Sequence, residues 1–200
     1  MPDPATFTAF DGQRRLASGP LADVALAIKR AGRHASDPVL IFSDATGRAL
    51  DLDLRGSDEQ ILAGLPKNVS PEPLVVPNEP RGRGRPKLGV VAREVTLLPR
   101  HWEWLNAQPG GASVALRKLV EAARRANSDT DRNRAARDAA YHFMAAMAGN
   151  LAGFEEASRA LFADDRHKFE SLIAAWPEDI RDHIARLASA DTVDPADVKR

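Results

Sequence analysis

Residues 80–87 read Pro80-Arg81-Gly82-Arg83-Gly84-Arg85-Pro86-Lys87, with an arginine at every second position from Arg81 to Arg85. Guanidinium groups spaced by glycine can approach a polyanion closely, because glycine carries no Cβ to hold the backbone away. Proline keeps such a segment extended, with less entropy to lose on ordering. Other chemistries are thinly supplied. The absence of cysteine excludes thiol nucleophiles, thiolate zinc sites and disulfides. Asp164-Asp165-Arg166-His167, and Asp179 with His183, can each present two metal ligands on a helix face, but no second such pair accompanies either. Asp51 and Asp53 share one face of a strand, and a wet strand face accounts for them. There is no His-Glu-x-x-His, no Gly-x-Ser-x-Gly and no Walker phosphate loop. No catalytic residue, metal or cofactor is expected, and the chain reads as non-enzymatic.

The charge distribution supports a polyanion as the partner. The whole chain balances 28 basic against 28 acidic residues, yet residues 81–137 carry a net charge of +8. Residues 1–80 carry −3 and residues 138–200 carry −5, so a basic block lies between two acidic segments. Such asymmetry points to nucleic acid, or alternatively to docking of the block on an acidic protein surface. The opening MPDPATFTAF lacks the basic and apolar regions of a secretory leader, and no apolar run reaches membrane-spanning length. A cytoplasmic, nucleoid-associated protein without membrane contact is expected.

The elements that would position these residues follow from periodicity. Thr6 to Phe10 and Arg14 to Ser18 read as strands joined at Asp11-Gly12. Leu21, Val24, Ala25 and Ile28 recur at helical spacing over 21–31, and Gly32 stops the helix. Val39 to Phe42 reads as a buried strand, Leu50, Leu52 and Leu54 as a half-buried one, and Ser57 as the cap of a short helix. This predicts an α+β protein, with an N-terminal ββαββα unit of β-grasp-like order over 1–65. Six prolines between Pro66 and Pro86 make 66–89 a linker. Val90 to Leu98 then reads as a strand, Pro99 as the first residue of a helix, and 113–125 as a second helix after Pro109-Gly110-Gly111. Trp102 and Leu105 are expected to be core. Residues 128–190 read as an all-α helical bundle whose Ala136, Ala139, Ala140, Phe143, Met144 and Met147 form one stripe, and 191–200 as a polar tail.

Three resemblances sit on these residues. Gly84-Arg85-Pro86, flanked by Arg83 and Lys87, resembles the core of an AT-hook. The resemblance implies an extended segment in the minor groove of AT-rich double-stranded DNA, where the narrow groove's negative potential suits a guanidinium. Arg83 and Arg85 would enter the groove, while Arg81 and Lys87 would meet phosphate. Segment 93–125 resembles a ribbon-helix-helix DNA-binding domain, within a module spanning 90–127. That implies a homodimer with a two-stranded ribbon in the major groove, and phosphate binding at the second helix's N-terminus near Gly111 and Ser113. Placing Leu98-Pro99 at the strand-to-helix junction turns Arg93, Val95 and Leu97 outward, and of these only Arg93 suits base contact. Taken whole, the chain resembles a bacterial family of uncharacterised proteins, a domain of unknown function, which implies no activity.

The expectation is a DNA-binding protein of the transcriptional-regulator or nucleoid-associated type. Its DNA-binding residues would be Arg81, Arg83, Gly84, Arg85, Pro86, Lys87, Arg93, Gly111 and Ser113. The alternative is a non-enzymatic adaptor whose basic linker docks on an acidic partner.

Overall fold

The alternation Phe7-Thr8-Ala9-Phe10 puts a bulky side chain on each face of a single strand, and the fold covers both faces. The structure is a computed structural model and describes residues 5–32, 39–66 and 93–189. Strands β1 (Thr6–Asp11) and β2 (Arg14–Pro20) form the hairpin, and α1 (Leu21–Ala31) follows without a loop. Strands β3 (Val39–Ser43) and β4 (Ala49–Leu50) complete an antiparallel sheet of order β2-β1-β3-β4. A register shift between Ala9 and Phe10 leaves Leu16 as the extra residue of β2. Thr8 lies opposite Phe42 and Ala9 opposite Ile41, so each face of β3 continues the corresponding face of β1.

One sheet face, with Phe7, Ala9 and Ile41, packs on Leu21, Val24 and Ile28 of α1. The expected strand through Leu54 shortens to Ala49–Leu50, yet Leu52 and Leu54 still pack against this cluster. Their alternation reported burial rather than ladder pairing, which needs a neighbouring strand as well as an apolar face. Helix α2 (Asp58–Gly64) opens with a capping box. Ser57 Oγ accepts from the Gln60 N–H at 3.3 Å, and Gln60 Oε1 accepts from the Ser57 N–H at 2.8 Å. Ser57→Ala is therefore expected to lower stability by about 1 kcal/mol, read as a shifted urea midpoint with unchanged slope.

The other sheet face meets the C-terminal helices: α5 (Ser128–Met147), α6 (Phe154–Phe162), α7 (Arg166–Ile173) and α8 (Glu178–Ala188). Phe10 and Phe42 join Phe143, Met144, Phe169, Ile173, Ile180 and Ile184 in one buried cluster. The Phe143 ring lies 5.1 Å from that of Phe10 and 4.8 Å from that of Phe42. Sequence periodicity separated 1–65 from 128–190; the structure gathers the described residues of 1–65 and of 130–189 into one compact unit. The physical reason is that β1 and β3 are apolar on both faces, and α1 covers only one.

Residues 93–129 belong to a second unit, holding α3 (Pro99–Asn106) and α4 (Gly111–Ala126). Pro99 occupies the first turn of α3, as expected, but residues 93–98 carry no regular secondary structure. A strand here needs a second strand to bond with, and none among the described residues pairs with it. Leu105 is buried, whereas Trp102 is exposed, correcting its assignment to the core. The linker 66–89 beyond Pro66, the residues 90–92 and the tail 191–200 lie outside the described residues. No helix among the described residues is long and apolar enough to cross a membrane.

Candidate nucleic-acid interface

Arg81, Arg83, Gly84, Arg85, Pro86 and Lys87 lie outside the described residues. The described part of the candidate interface is the segment from Arg93 through α4. Arg93 is exposed on the irregular stretch that leads to Pro99. Leu98, with extended backbone, caps α3 and accepts from the His101 N–H at 2.8 Å. The turn to α4 rests on two glycines with positive φ, Gly110 at 87° and Gly111 at 75°. Both lie in the left-handed region that L side chains avoid, so the glycines are what allow so short a connection.

Gly110 caps α4 without any side-chain hydrogen bond to its first turn. The Gly111 N–H donates to Gln108 O at 2.9 Å, and the exposed Ser113 occupies the first turn. An uncapped first turn presents amides and the positive end of the helix dipole to an anion. Further along, Arg117 Nε donates back to Ser113 O at 3.1 Å. Arg124 and Arg125 share Glu121, each 2.9 Å from Oε1, so this pair of charges is partly neutralised on the helix surface. Gly111 and Ser113 are thus brought together on one turn, while Arg93 lies on a different segment of the same unit.

This unit also leaves much apolar surface uncovered. Val95, Leu98, Trp102, Leu119 and Val120 are exposed, with Trp104 at 54% and Val120 at 63%. Of the 16 residues in α4, Ala115 is the one that is buried. A helix of this amphipathic pattern normally covers its apolar stripe against another element.

The polar residues singled out in the C-terminal third do not converge as a metal site. Asp179 Oδ2 accepts from the Arg15 N–H at 2.9 Å, and Asp165 caps α7 by accepting from the Lys168 N–H at 3.1 Å. His183, by contrast, is fully buried between Phe10 and Phe143, its ring centroid 5.3 Å and 4.4 Å from theirs. Arg186 donates to His183 Nδ1, so Nδ1 is the unprotonated nitrogen and Nε2 carries the hydrogen. That Nε2 has no hydrogen-bond partner among the described residues; Asp44 Oδ1 lies 3.7 Å away. Asp44 accepts instead from Thr8 Oγ1 at 2.9 Å. Burial, then the positive charges of Arg186 and Arg15, push the imidazole down to about 3. His183 is therefore neutral at physiological pH, and its approach to Asp44 is not an ion pair. No group of three or more metal-ligating side chains forms among the described residues.

The fold is mixed α+β, with a four-stranded antiparallel sheet followed by helices. The chain belongs to a family of uncharacterized proteins conserved in bacteria (DUF2239), which it matches over residues 6–188. No curated protein and no solved structure matches it.

Proposed function

We propose that the protein is a non-enzymatic DNA-binding protein, of the transcriptional-regulator or nucleoid-associated type, that contacts AT-rich duplex through Arg83 and Arg85. The observation that carries this reading is the net charge of +8 over residues 81–137, a block that includes the α3–α4 hairpin and its uncapped helix N-terminus. Arg81, Lys87, Arg93 and the first turn of α4 at Gly111 and Ser113 supply the phosphate and base contacts in this reading. A second copy of the chain would offer residues 93–98 a partner strand and would cover Leu98, Trp102 and Val120. That arrangement is the ribbon-helix-helix-like dimer, and the uncovered apolar surface of α3 and α4 favours it.

Fluorescence anisotropy with AT-rich and GC-rich duplexes across a salt series tests the reading. Tighter binding to the AT-rich duplex is expected, with a log–log salt slope of roughly −3 to −5 from about four to five phosphate contacts. Arg85→Ala is expected to remove most of the AT preference, and Arg85→Lys to restore little of it, because the ammonium is bulkier in its hydration and lacks the planar fork. No binding at low salt overturns the proposal in favour of a basic linker that docks on an acidic protein.

A further inference from the structure

Residues of α5 to α8 line an open-mouthed cavity of about 270 Å³, all of it within one compact unit. Leu161 of α6 and Phe169 of α7, both buried, give it apolar walls, and Ala188 of α8 lies beside them. Asn133 and Arg137, one turn apart on α5, supply its polar side. Arg137 is the unusual member. Its side chain is only 26% exposed, yet among the described residues it makes no hydrogen bond. The nearest carboxylate oxygen, Asp164 Oδ1, lies 4.0 Å away, beyond hydrogen-bond reach. Arg166 at the same cavity is engaged by Glu170 at 2.9 Å.

The rim residue Asp164 holds φ at 59°, the one non-glycine residue with positive φ among those described. Its N–H donates to Leu161 O at 3.3 Å and the Asp165 N–H donates to Ala160 O at 3.0 Å, which closes the end of α6. Glycine is the commonest residue at such a cap, and aspartate is among the few side chains that also adopt it. It faces Arg137 in a long ion pair, without a hydrogen bond.

We propose that this cavity binds a small monocarboxylic acid with an apolar body, the carboxylate meeting Arg137 and Asn133 and the body lying against Leu161 and Phe169. A half-buried guanidinium whose one carboxylate neighbour, Asp164, stays outside hydrogen-bond reach can take a closer anion, and its planar fork matches a carboxylate. The apolar walls select the remainder of the ligand. Asp164 and Glu170 offset the charges of Arg137 and Arg166 at this cavity, so a dianion such as phosphate is disfavoured relative to a single carboxylate. The volume lies just below the usual range of small-ligand pockets, roughly 300–1,000 Å³, which fits a small metabolite rather than a peptide.

Isothermal titration of the full chain with hexanoate, phenylacetate and 3-phenylpropanoate tests it, with hexan-1-ol, hexylamine and inorganic phosphate as comparisons. Saturable binding of at least one acid is expected, with the alcohol and amine weaker by about ten-fold or more and phosphate silent. Arg137→Gln, at a partly exposed position, is expected to weaken the acid by about ten-fold or more while circular dichroism stays unchanged. Ala188→Leu, which fills the cavity, is expected to do the same. Should Ala188→Leu not fold, Arg137→Gln and the alcohol comparison decide. No saturable binding of any of the three acids overturns the proposal, as does equal binding by Arg137→Gln or by the alcohol.

Discussion

Replacing Gly47 with alanine is expected to destabilise the protein by about 3–5 kcal/mol, a large share of the roughly 5–15 kcal/mol that a domain of this size commands. Gly47 closes the β3–β4 turn with φ at 63°, its N–H donating to Ser43 O at 2.7 Å. A Cβ there would lie 1.8 Å from the carbonyl oxygen of Ala139 and 2.6 Å from its carbonyl carbon. Ala139 is 3% exposed in the middle of α5, so neither partner can retreat without opening the sheet–helix contact. The left-handed backbone adds its own cost for an L residue. Gly64→Ala is the matched control: its Cβ would meet nothing within 4 Å, and it lies at the end of α2. That variant is expected to remain within about 1 kcal/mol of the parent. Urea unfolding of both variants gives the comparison, and an unchanged midpoint for Gly47→Ala would refute the packing described for this turn.

Acid is expected to destabilise the protein through His183, and the sign follows from its burial. The imidazole titrates near 6.5 when exposed but is pushed down to about 3 in the folded chain. Between those values the unfolded chain takes up a proton that the folded chain refuses. Stability is therefore complete above about pH 6.5 and falls by about 1.4 kcal/mol per pH unit as the pH drops toward 3. Integrated over that window the loss is about 4–5 kcal/mol, set mainly by desolvation and second by the Arg186 and Arg15 charges. Asp44, 3.7 Å from Nε2 and already bonded to Thr8, is the carboxylate that faces the ring among the described residues. His183→Gln keeps an acceptor for Arg186 but has no proton to take up. It is expected to be less stable at pH 7.5, because ring contacts with Phe10 and Phe143 are lost, and to show a flatter pH profile. Chemical denaturation of both proteins from pH 7.5 to 4.5 reads the difference in slope, and identical slopes would show that His183 does not carry the effect.

Both predictions depend on contacts between segments about 90 to 140 residues apart, Gly47 with Ala139 and Asp44 with His183. Neither contact was legible in the sequence. The turn that Gly47 closes is local, but the helix that crowds it is remote. His183 read as one of two ligands on a solvated helix face with Asp179; in the structure Asp179 turns to Arg15 and His183 turns into the core. Arg137 carried no signal beyond being a cation in a basic block. Its significance lies in the lack of a hydrogen-bonded acceptor, which depends on where α6 ends and where α7 and α8 pack.

What the sequence determined by itself is everything that nearest neighbours decide. The Asp11-Gly12 hairpin, α1 over Leu21–Ala31, the Ser57 cap, the Pro99 start of α3 and the Gly110-Gly111 turn depend on local sterics and hydrogen bonds spanning a few residues. Tertiary structure decided which faces those elements cover. It drew Phe10 and Phe42 onto Phe143, making one unit from the two ends of the chain, because a strand apolar on both faces must be covered twice. It left Trp102 exposed although its spacing from Leu105 suits a core, because helical periodicity defines an apolar stripe without naming the surface that receives it.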